Sequence, residues 1–203
     1  MGGAPLCSIA RGEGNHERAE TVMNNSFSLL LISGAALTVF FLALKKPILY
    51  LFGASDQTFP YADAYLTIYL AGTVFVMIGL GMNSFINSQG FGRMGMMTVL
   101  LGAVVNIALD PVFIFVLNMG VQGAALATVI SQFLSAAWVL RFLTGKQVIY
   151  RLKPERMRLQ KRLVGQISAL GLSGFMMAVT NSAVQIVCNA TLQQFGGDPY
   201  VAS

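Results

Sequence analysis

The sequence predicts an all-α integral membrane protein, folded as a helical bundle. Of its 203 residues, 55% are apolar and only 10% are charged, whereas an average soluble domain is about 45–50% apolar and about 25% charged. The charged residues are bunched, and they leave uncharged windows close to or above the roughly 20 residues that a spanning helix needs. These windows lack the polar and apolar alternation of a barrel strand. The composition excludes an ordinary cytosolic domain and a disordered tail.

Five windows are expected to be spans, in chain order. These windows predict helices at residues 21–44 (with an alternative end at Phe52, past Pro47), 64–88, 94–117, 121–143 and 163–195, and the third window is uncharged only as far as residue 109. Residues 2–10 are apolar but too short to cross, and no basic stretch precedes them. They therefore predict the end of a further helix rather than a signal peptide.

The connections between these spans predict the orientation of the chain. They alternate between two sides, and one side holds eleven basic residues against two on the other, Lys45 and Lys46. By the positive-inside rule the first side is cytoplasmic. Trp138 and Tyr150 are expected near that surface as interfacial rings. The eleven residues are Arg11, Arg18, Arg93, Arg141, Lys146, Arg151, Lys153, Arg156, Arg158, Lys161 and Arg162.

The longest polar segment, residues 146–162, is predicted to be a linker between two halves of a larger protein. Pro154 interrupts it, and its apolar face is weak. The alternative is a basic amphipathic helix lying on the membrane surface. Lys and Arg in a cytoplasmic loop also explain the net charge of +5 through orientation and anionic lipid headgroups, so no nucleic-acid partner is expected.

Asp110 is the only acidic residue within the predicted spans. An ionised carboxylate in a membrane is costly unless it is paired, protonated or bound to a cation. Asn106 lies four residues earlier and shares its helix face, so the two side chains can converge on one cation or proton. The alternative is that Asp110, beside Pro111, only satisfies backbone groups near the outer interface.

Thr128 is the third candidate. Because the turn at residues 118–120 is short, the next helix is an antiparallel neighbour of the one that carries Asp110, and Thr128 lies at a similar depth. Gly120, Ala124 and Thr128 also form a four-residue repeat of small side chains that favours helix packing, and this is the alternative for Thr128.

Other patterns carry less chemistry. Asn181, Gln185 and Asn189 form a polar stripe that predicts either a cavity lining or hydrogen bonds between helices. The glycines at 90, 92 and 95 match a dinucleotide fingerprint but lack its strand, and they predict a tight turn instead. No nucleophile with a base is visible, and neither cysteine has a metal-ligand spacing. We therefore expect no enzyme, no cofactor and no transition-metal site.

Two segments carry a family resemblance. NIALDPVFIF (residues 106–115) and GVQGAALATVISQ (residues 120–132) resemble the multidrug and toxic compound extrusion (MATE) family. Further similar positions extend over nearly the whole chain: Gly12, Gly14 and Ala19, then LGLS at 170–173 and FGGD at 195–198. The family fold has twelve helices in two six-helix lobes, so the resemblance implies part of the N-terminal lobe. Residues 1–145 would hold the end of the second helix and the third to sixth, 146–162 the cytoplasmic linker, and 163–203 the first helix of the C-terminal lobe.

The resemblance also implies a function and a place. It implies a secondary active transporter of a bacterial plasma (inner) membrane that exports amphipathic, often cationic drugs or toxic compounds by antiport with sodium or protons. Some members bind the coupling cation through an Asn, an Asp and a Thr, which match Asn106, Asp110 and Thr128 here. Two alternatives remain: a lipid-linked saccharide flippase of the same superfamily, although no predicted window contains Lys or Arg, and a non-transporting membrane scaffold.

Overall fold

The computed structural model describes residues 2–153, 155 and 157–196, with side chains for all of these except 189, 190 and 192–196. Within that part the chain is helical and contains no strand. Its elements are α1 Gly3–Gly12, α2 His16–Leu51, α3 Phe59–Ala71, α4 Thr73–Ser88, α5 Gly92–Pro111, a π-helical turn Val112–Val116, α6 Gly120–Thr144 and α7 Lys161–Gly196.

The structure contains four of the five predicted spans as single helices, and the fifth as a bent pair of helices. Four helices of the described chain are long and apolar enough to cross a membrane: α2, α5 with its π turn, α6 and α7. The pair α3 and α4, bent by 55° at a short break, passes the same test as one broken span. The protein is therefore a multi-pass membrane protein of four or five spanning helices.

The second span differs from its prediction. Instead of one helix over residues 64–88, the structure begins α3 at Phe59 and bends at Gly72 before α4. A Cβ on Gly72 would lie 2.6 Å from Cγ2 of Val129 on α6, so α6 approaches the backbone closely at the bend. Glycine is a common site of sharp helix bends, and here the missing side chain makes room for the neighbouring helix. The early start also places Asp63 inside α3, so Asp110 is not the only acid in these helices.

Proline affects two helices differently. α2 continues through Pro47 to Leu51, which agrees with the longer of its two predicted ends. After Pro111, α5 passes into a π turn in which the Leu117 N–H donates to the Val112 carbonyl at 3.0 Å. Single π turns inside helices occur often at functional sites. This one lies directly after Asp110.

α6 lies at the centre of the bundle and packs against α3, α4, α5 and the π turn. Among the described elements, α7 contacts only α1 and α2. The small residues buried on α6 are Gly123, Ala125, Ala127, Ser131, Ser135 and Ala136. The prediction of Gly120 as a packing position is wrong: Gly120 is exposed, a Cβ added to it would meet no atom within 4 Å, and it instead begins α6 with a φ of +55°. The turn before it needs this left-handed conformation, which glycine adopts at little cost.

The main core lies at the end of the bundle that carries the basic segments, between α1, α2, α4 and α6. Tyr150 belongs to this core and is only 2% exposed, so its predicted role as an interfacial ring is wrong. Its N–H donates to Oε1 of Gln89 at 2.9 Å, and its hydroxyl shares a hydrogen bond of 3.0 Å with Nδ1 of His16. Burial raises the pKa of the Tyr150 phenol. The glycine turn nearby is as predicted, since Gly90 has a φ of +93°.

The segment between α6 and α7 contains no α-helix in residues 145–153, 155 and 157–160, so the amphipathic-helix alternative is wrong for this part. Pro154 lies outside the described residues. The segment is bonded along one face of α2. Asn24 accepts from the Lys153 N–H at 2.8 Å and donates to the Arg151 carbonyl at 3.1 Å, and Asn25 accepts from the Gln160 N–H at 2.8 Å. Its assignment as an inter-lobe linker stays a prediction.

Candidate ion-binding site

The three predicted ion ligands meet in one place. Nδ2 of Asn106 lies 3.4 Å from Oδ1 of Asp110 and 3.5 Å from Oγ1 of Thr128. Thr128 Oγ1 also donates to the Ala124 carbonyl, one turn back along α6, at 2.9 Å. All three residues are partly buried. The amide of Asn106 therefore bridges the carboxylate and the hydroxyl.

The hairpin between α5 and α6 produces this convergence. Asn106 and Asp110 are one turn apart, which places both side chains on the same face of α5. Asn118 and Gly120, at φ +50° and +55°, reverse the chain, and the Met119 N–H closes the turn on the Phe113 carbonyl at 3.1 Å. α6 then returns against α5 and brings Thr128 beside the two residues.

The charge at this site is not neutralised by a basic side chain. Among the described residues, no Lys, Arg or His forms an ion pair with Asp110. The carboxylate instead has the amide of Asn106 within reach. Oxygen-rich, negatively charged surroundings of this kind suit a proton or a hard cation.

A cavity of about 240 Å³ adjoins the site between α4, α5 and α6; we call it the polar cavity because seven of its twelve lining residues are polar, although most of its lining surface is apolar. Asn106 and Thr128 line it together with Asn83, and the Asn83 amide oxygen is buried without a hydrogen-bond partner among the described residues. This cavity was not predicted from the sequence. Its signal was a set of uncharged polar residues inside apolar windows, which also includes Thr98, Ser131, Gln132 and Ser135.

A second charged group was also missed. Nζ of Lys45 on α2 lies 2.8 Å from Oδ1 and 2.9 Å from Oδ2 of Asp63 on α3, and it donates to Oγ1 of Thr67 at 3.0 Å. The two charged side chains are about a quarter exposed. They compensate each other and tie α2 to α3, whereas Asp110 forms no such ion pair with the described residues.

The polar stripe on α7 is not part of this site. Asn181 and Gln185 are exposed on a helix that contacts only α1 and α2 in the described part of the chain. The side chain of Asn189 lies outside the described residues. Their predicted cavity-lining role stays a prediction.

Groups of three or more His, Cys, Asp or Glu side chains that could hold a metal ion do not occur in the described residues. Cys7 is buried and Cys188 is exposed. The glycines at 90, 92 and 95 lie between two helices, α4 and α5, rather than after a strand.

Comparisons with known proteins agree with this architecture. Residues 1–112 match the MatE family. The chain is 27% identical over 190 residues to the multidrug export protein MepA of Staphylococcus saprophyticus, covering 93% of this chain and 42% of the relative. It is 26% identical over 196 residues to MepA of Staphylococcus haemolyticus, covering 97% and 43%. The chain thus spans about two fifths of the length of these relatives.

Solved structures give the same result. A structure described as the inward-facing conformation of a multidrug resistance MATE family transporter aligns with a TM-score of 0.92 at 25% identity, covering all of this chain and 46% of that one. An outward-facing structure of the same description aligns with a TM-score of 0.88, covering 99% and 45%. With more than half of its residues matched and the fold shared over its whole length, this chain belongs to the MatE family of transporters.

Proposed function

We propose that this chain is part of a secondary active transporter that exports amphipathic, often cationic drugs or toxic compounds by antiport with sodium or protons. The observation that carries the proposal is the convergence of Asn106, Asp110 and Thr128. The amide of Asn106 bridges the hydroxyl of Thr128 and the carboxylate of Asp110, and this carboxylate has no basic side chain paired with it among the described residues. The MepA relatives, named as multidrug export proteins, support the direction and the kind of substrate.

The bridging amide occupies the position that a cation would take. Nδ2 of Asn106 donates to both oxygens, so its own oxygen faces away from them. Rotation of this amide by half a turn would direct its oxygen toward the other two side chains, so that Asn106, Asp110 and Thr128 could each offer an oxygen to an ion. A bound sodium ion would replace the two N–H contacts with three oxygen contacts. The amide is therefore a two-position element that responds to the ion.

A proton and a sodium ion compete for this site because each neutralises the same carboxylate. Binding of one therefore excludes the other. The choice between sodium and proton as the coupling ion depends on which of them the complete site prefers.

Ion binding can act on the substrate path through shared residues. Asn106 and Thr128 belong both to the ion cluster and to the polar cavity between α4, α5 and α6. Reorientation of either side chain changes the lining of that cavity. To move a two-state equilibrium from 1:99 to 99:1, the ion must bind one state more tightly by about 5.5 kcal/mol.

The test is export by the full-length protein in proteoliposomes. Asp110→Asn should abolish the export of a fluorescent cation that an imposed sodium or pH gradient drives. The matched control is Asp56→Asn, because Asp56 is an exposed acid in the loop between α2 and α3. Thr128→Ser keeps the hydroxyl and should retain export, whereas Thr128→Val should reduce it. Unchanged export by Asp110→Asn would remove this residue from the mechanism.

We place the protein in a bacterial plasma membrane, with the basic segments on the cytoplasmic side. The supporting observations are the eleven basic residues on one side of the chain and the bacterial relatives. Single cysteines introduced at Arg158 and at Asp56 in a cysteine-free background test the orientation. An impermeant thiol reagent applied to intact cells should label position 56 and not position 158.

The alternatives give different results in the same preparation. A scaffold would move no substrate and would respond to neither sodium nor pH. A flippase would move a lipid-linked saccharide rather than a soluble fluorescent cation. In a scaffold, Asp110 would have only a structural role.

A further inference from the structure

We infer that the α5–α6 hairpin carries a binding site for an anionic glycerophospholipid at the basic end of the bundle. The site consists of two adjoining cavities that share Trp138 and Arg141. One is charged and lies at the end of α6, and the other is an apolar groove that runs along the hairpin. Their combination matches a lipid, which has an anionic headgroup joined to an acyl chain.

The headgroup cavity has a volume of about 340 Å³. Met94, Trp138, Phe142 and Gly145 form its walls with Gln147, and its charged residues are Arg141 and Lys146. The lining contains no acidic residue. Within the described residues, neither the Arg141 guanidinium nor the Lys146 ammonium donates to another protein group. Two unpaired cations at the end of a membrane-spanning helix are suited to a phosphodiester.

The acyl-chain groove has a volume of about 270 Å³ and an almost wholly apolar lining. Leu101 and Val105 form its α5 side, and Leu134 and Ala137 form its α6 side with Trp138. From Leu134 to Arg141 the groove follows seven residues of α6, about 10 Å along the helix. It begins beside the cations and continues toward the apolar middle of the span, in the direction that the acyl chain of a lipid takes.

Trp138 lines both cavities and supplies a second indication of a ligand. Its indole N–H is enclosed and has no acceptor among the residues that the structure describes. Buried indole N–H groups usually have a partner. A phosphate or ester oxygen of a lipid lying across the ring edge provides one after a small rotation of the ring.

This site is separate from the ion cluster. Asn106 and Thr128 line the polar cavity on the α4 side of the hairpin, and no residue of that cavity lines either of the two cavities described here. Failure of the lipid site would therefore leave the proposed antiport intact, and failure of the antiport would leave the lipid site intact.

Native mass spectrometry of the delipidated full-length protein tests the inference. Dioleoyl-phosphatidylglycerol should bind and raise the melting temperature, while dioleoyl-phosphatidylethanolamine should bind at least tenfold more weakly. Each basic residue near an anionic lipid contributes about a fivefold change in affinity, so Arg141→Gln with Lys146→Gln should weaken binding by about 25-fold. The control pair Arg158→Gln and Lys161→Gln removes two exposed charges at the same end of the bundle. It should leave the affinity for phosphatidylglycerol within about twofold of the parent value.

A second variant tests the groove without changing charge. Ala137→Phe fills the groove and should weaken the binding of phosphatidylglycerol, whereas Ala178→Phe on the exposed face of α7 should not. Equal weakening by both charge-removing pairs would show nonspecific attraction and would overturn the inference. Equal binding of phosphatidylethanolamine would also overturn it. If inorganic phosphate displaced phosphatidylglycerol as effectively as unlabelled lipid does, Arg141 and Lys146 would form a site for free phosphate instead, and the inference would be overturned.

Discussion

Asn24→Ala is expected to release the segment between α6 and α7 from α2. Asn24 is fully buried, and its side chain makes two hydrogen bonds to this segment: it accepts from the Lys153 N–H and donates to the Arg151 carbonyl. A typical hydrogen bond contributes about 0.5–1.5 kcal/mol net. Two of them give about 2 kcal/mol for local opening, which corresponds to about a 30-fold faster exchange of the amide hydrogens they protect. Asn25 makes one such bond, to Gln160, so Asn25→Ala should give about a fivefold change.

Hydrogen–deuterium exchange of the full-length protein measures this effect directly. The matched control is Asn181→Ala, the same substitution at an exposed position of α7 that has no hydrogen bond to the segment among the described residues. The amide of Lys153 should exchange faster in Asn24→Ala, and that of Gln160 faster in Asn25→Ala. Exchange in Asn24→Ala equal to that in Asn181→Ala would refute the reasoning, because it would mean that these bonds do not hold the segment.

Two further substitutions test the packing that positions the site. Gly123→Ala should lower the melting temperature, because its Cβ would lie 2.8 Å from the backbone carbonyl of Phe113, whereas Gly165→Ala, which has nothing nearby, should be neutral or stabilising. Lys45→Gln should destabilise by about 1 kcal/mol, since it leaves Asp63 without its cation, and the double variant with Asp63→Asn should recover part of that loss. Equal melting temperatures for the two glycine variants, or additive losses at Lys45 and Asp63, would contradict these expectations.

The spans were predictable because charge is excluded from the bilayer, so uncharged windows mark helices whatever their packing. The convergence at the site was predictable in part. Asn106 and Asp110 lie one helical turn apart, and the short turn at residues 118–120 requires an antiparallel neighbour that brings Thr128 close. Whether these residues bind an ion stays a prediction.

Features that depend on distant contacts were not predictable from local pattern. The bend at Gly72 arises where Val129 of α6 approaches the backbone, 57 positions later in the chain. Tyr150 is buried because His16 and Gln89, from two other parts of the chain, bond to it. The pairing of Lys45 with Asp63 likewise requires α3 to begin before the uncharged window does. Each of these contacts joins segments that the sequence alone does not place side by side.

The most direct test of the central claim is the ion-dependent melting of the full-length protein and of its Asp110→Asn variant. The site should bind sodium or a proton, and an ion at 100 times its dissociation constant stabilises by about 2.7 kcal/mol. The parent should therefore melt at a higher temperature when sodium replaces potassium, or should shift with pH, and Asp110→Asn should lose that response. A parent that responds to neither, or a variant that keeps the full response, would contradict the assignment of Asp110 as the ion-binding carboxylate.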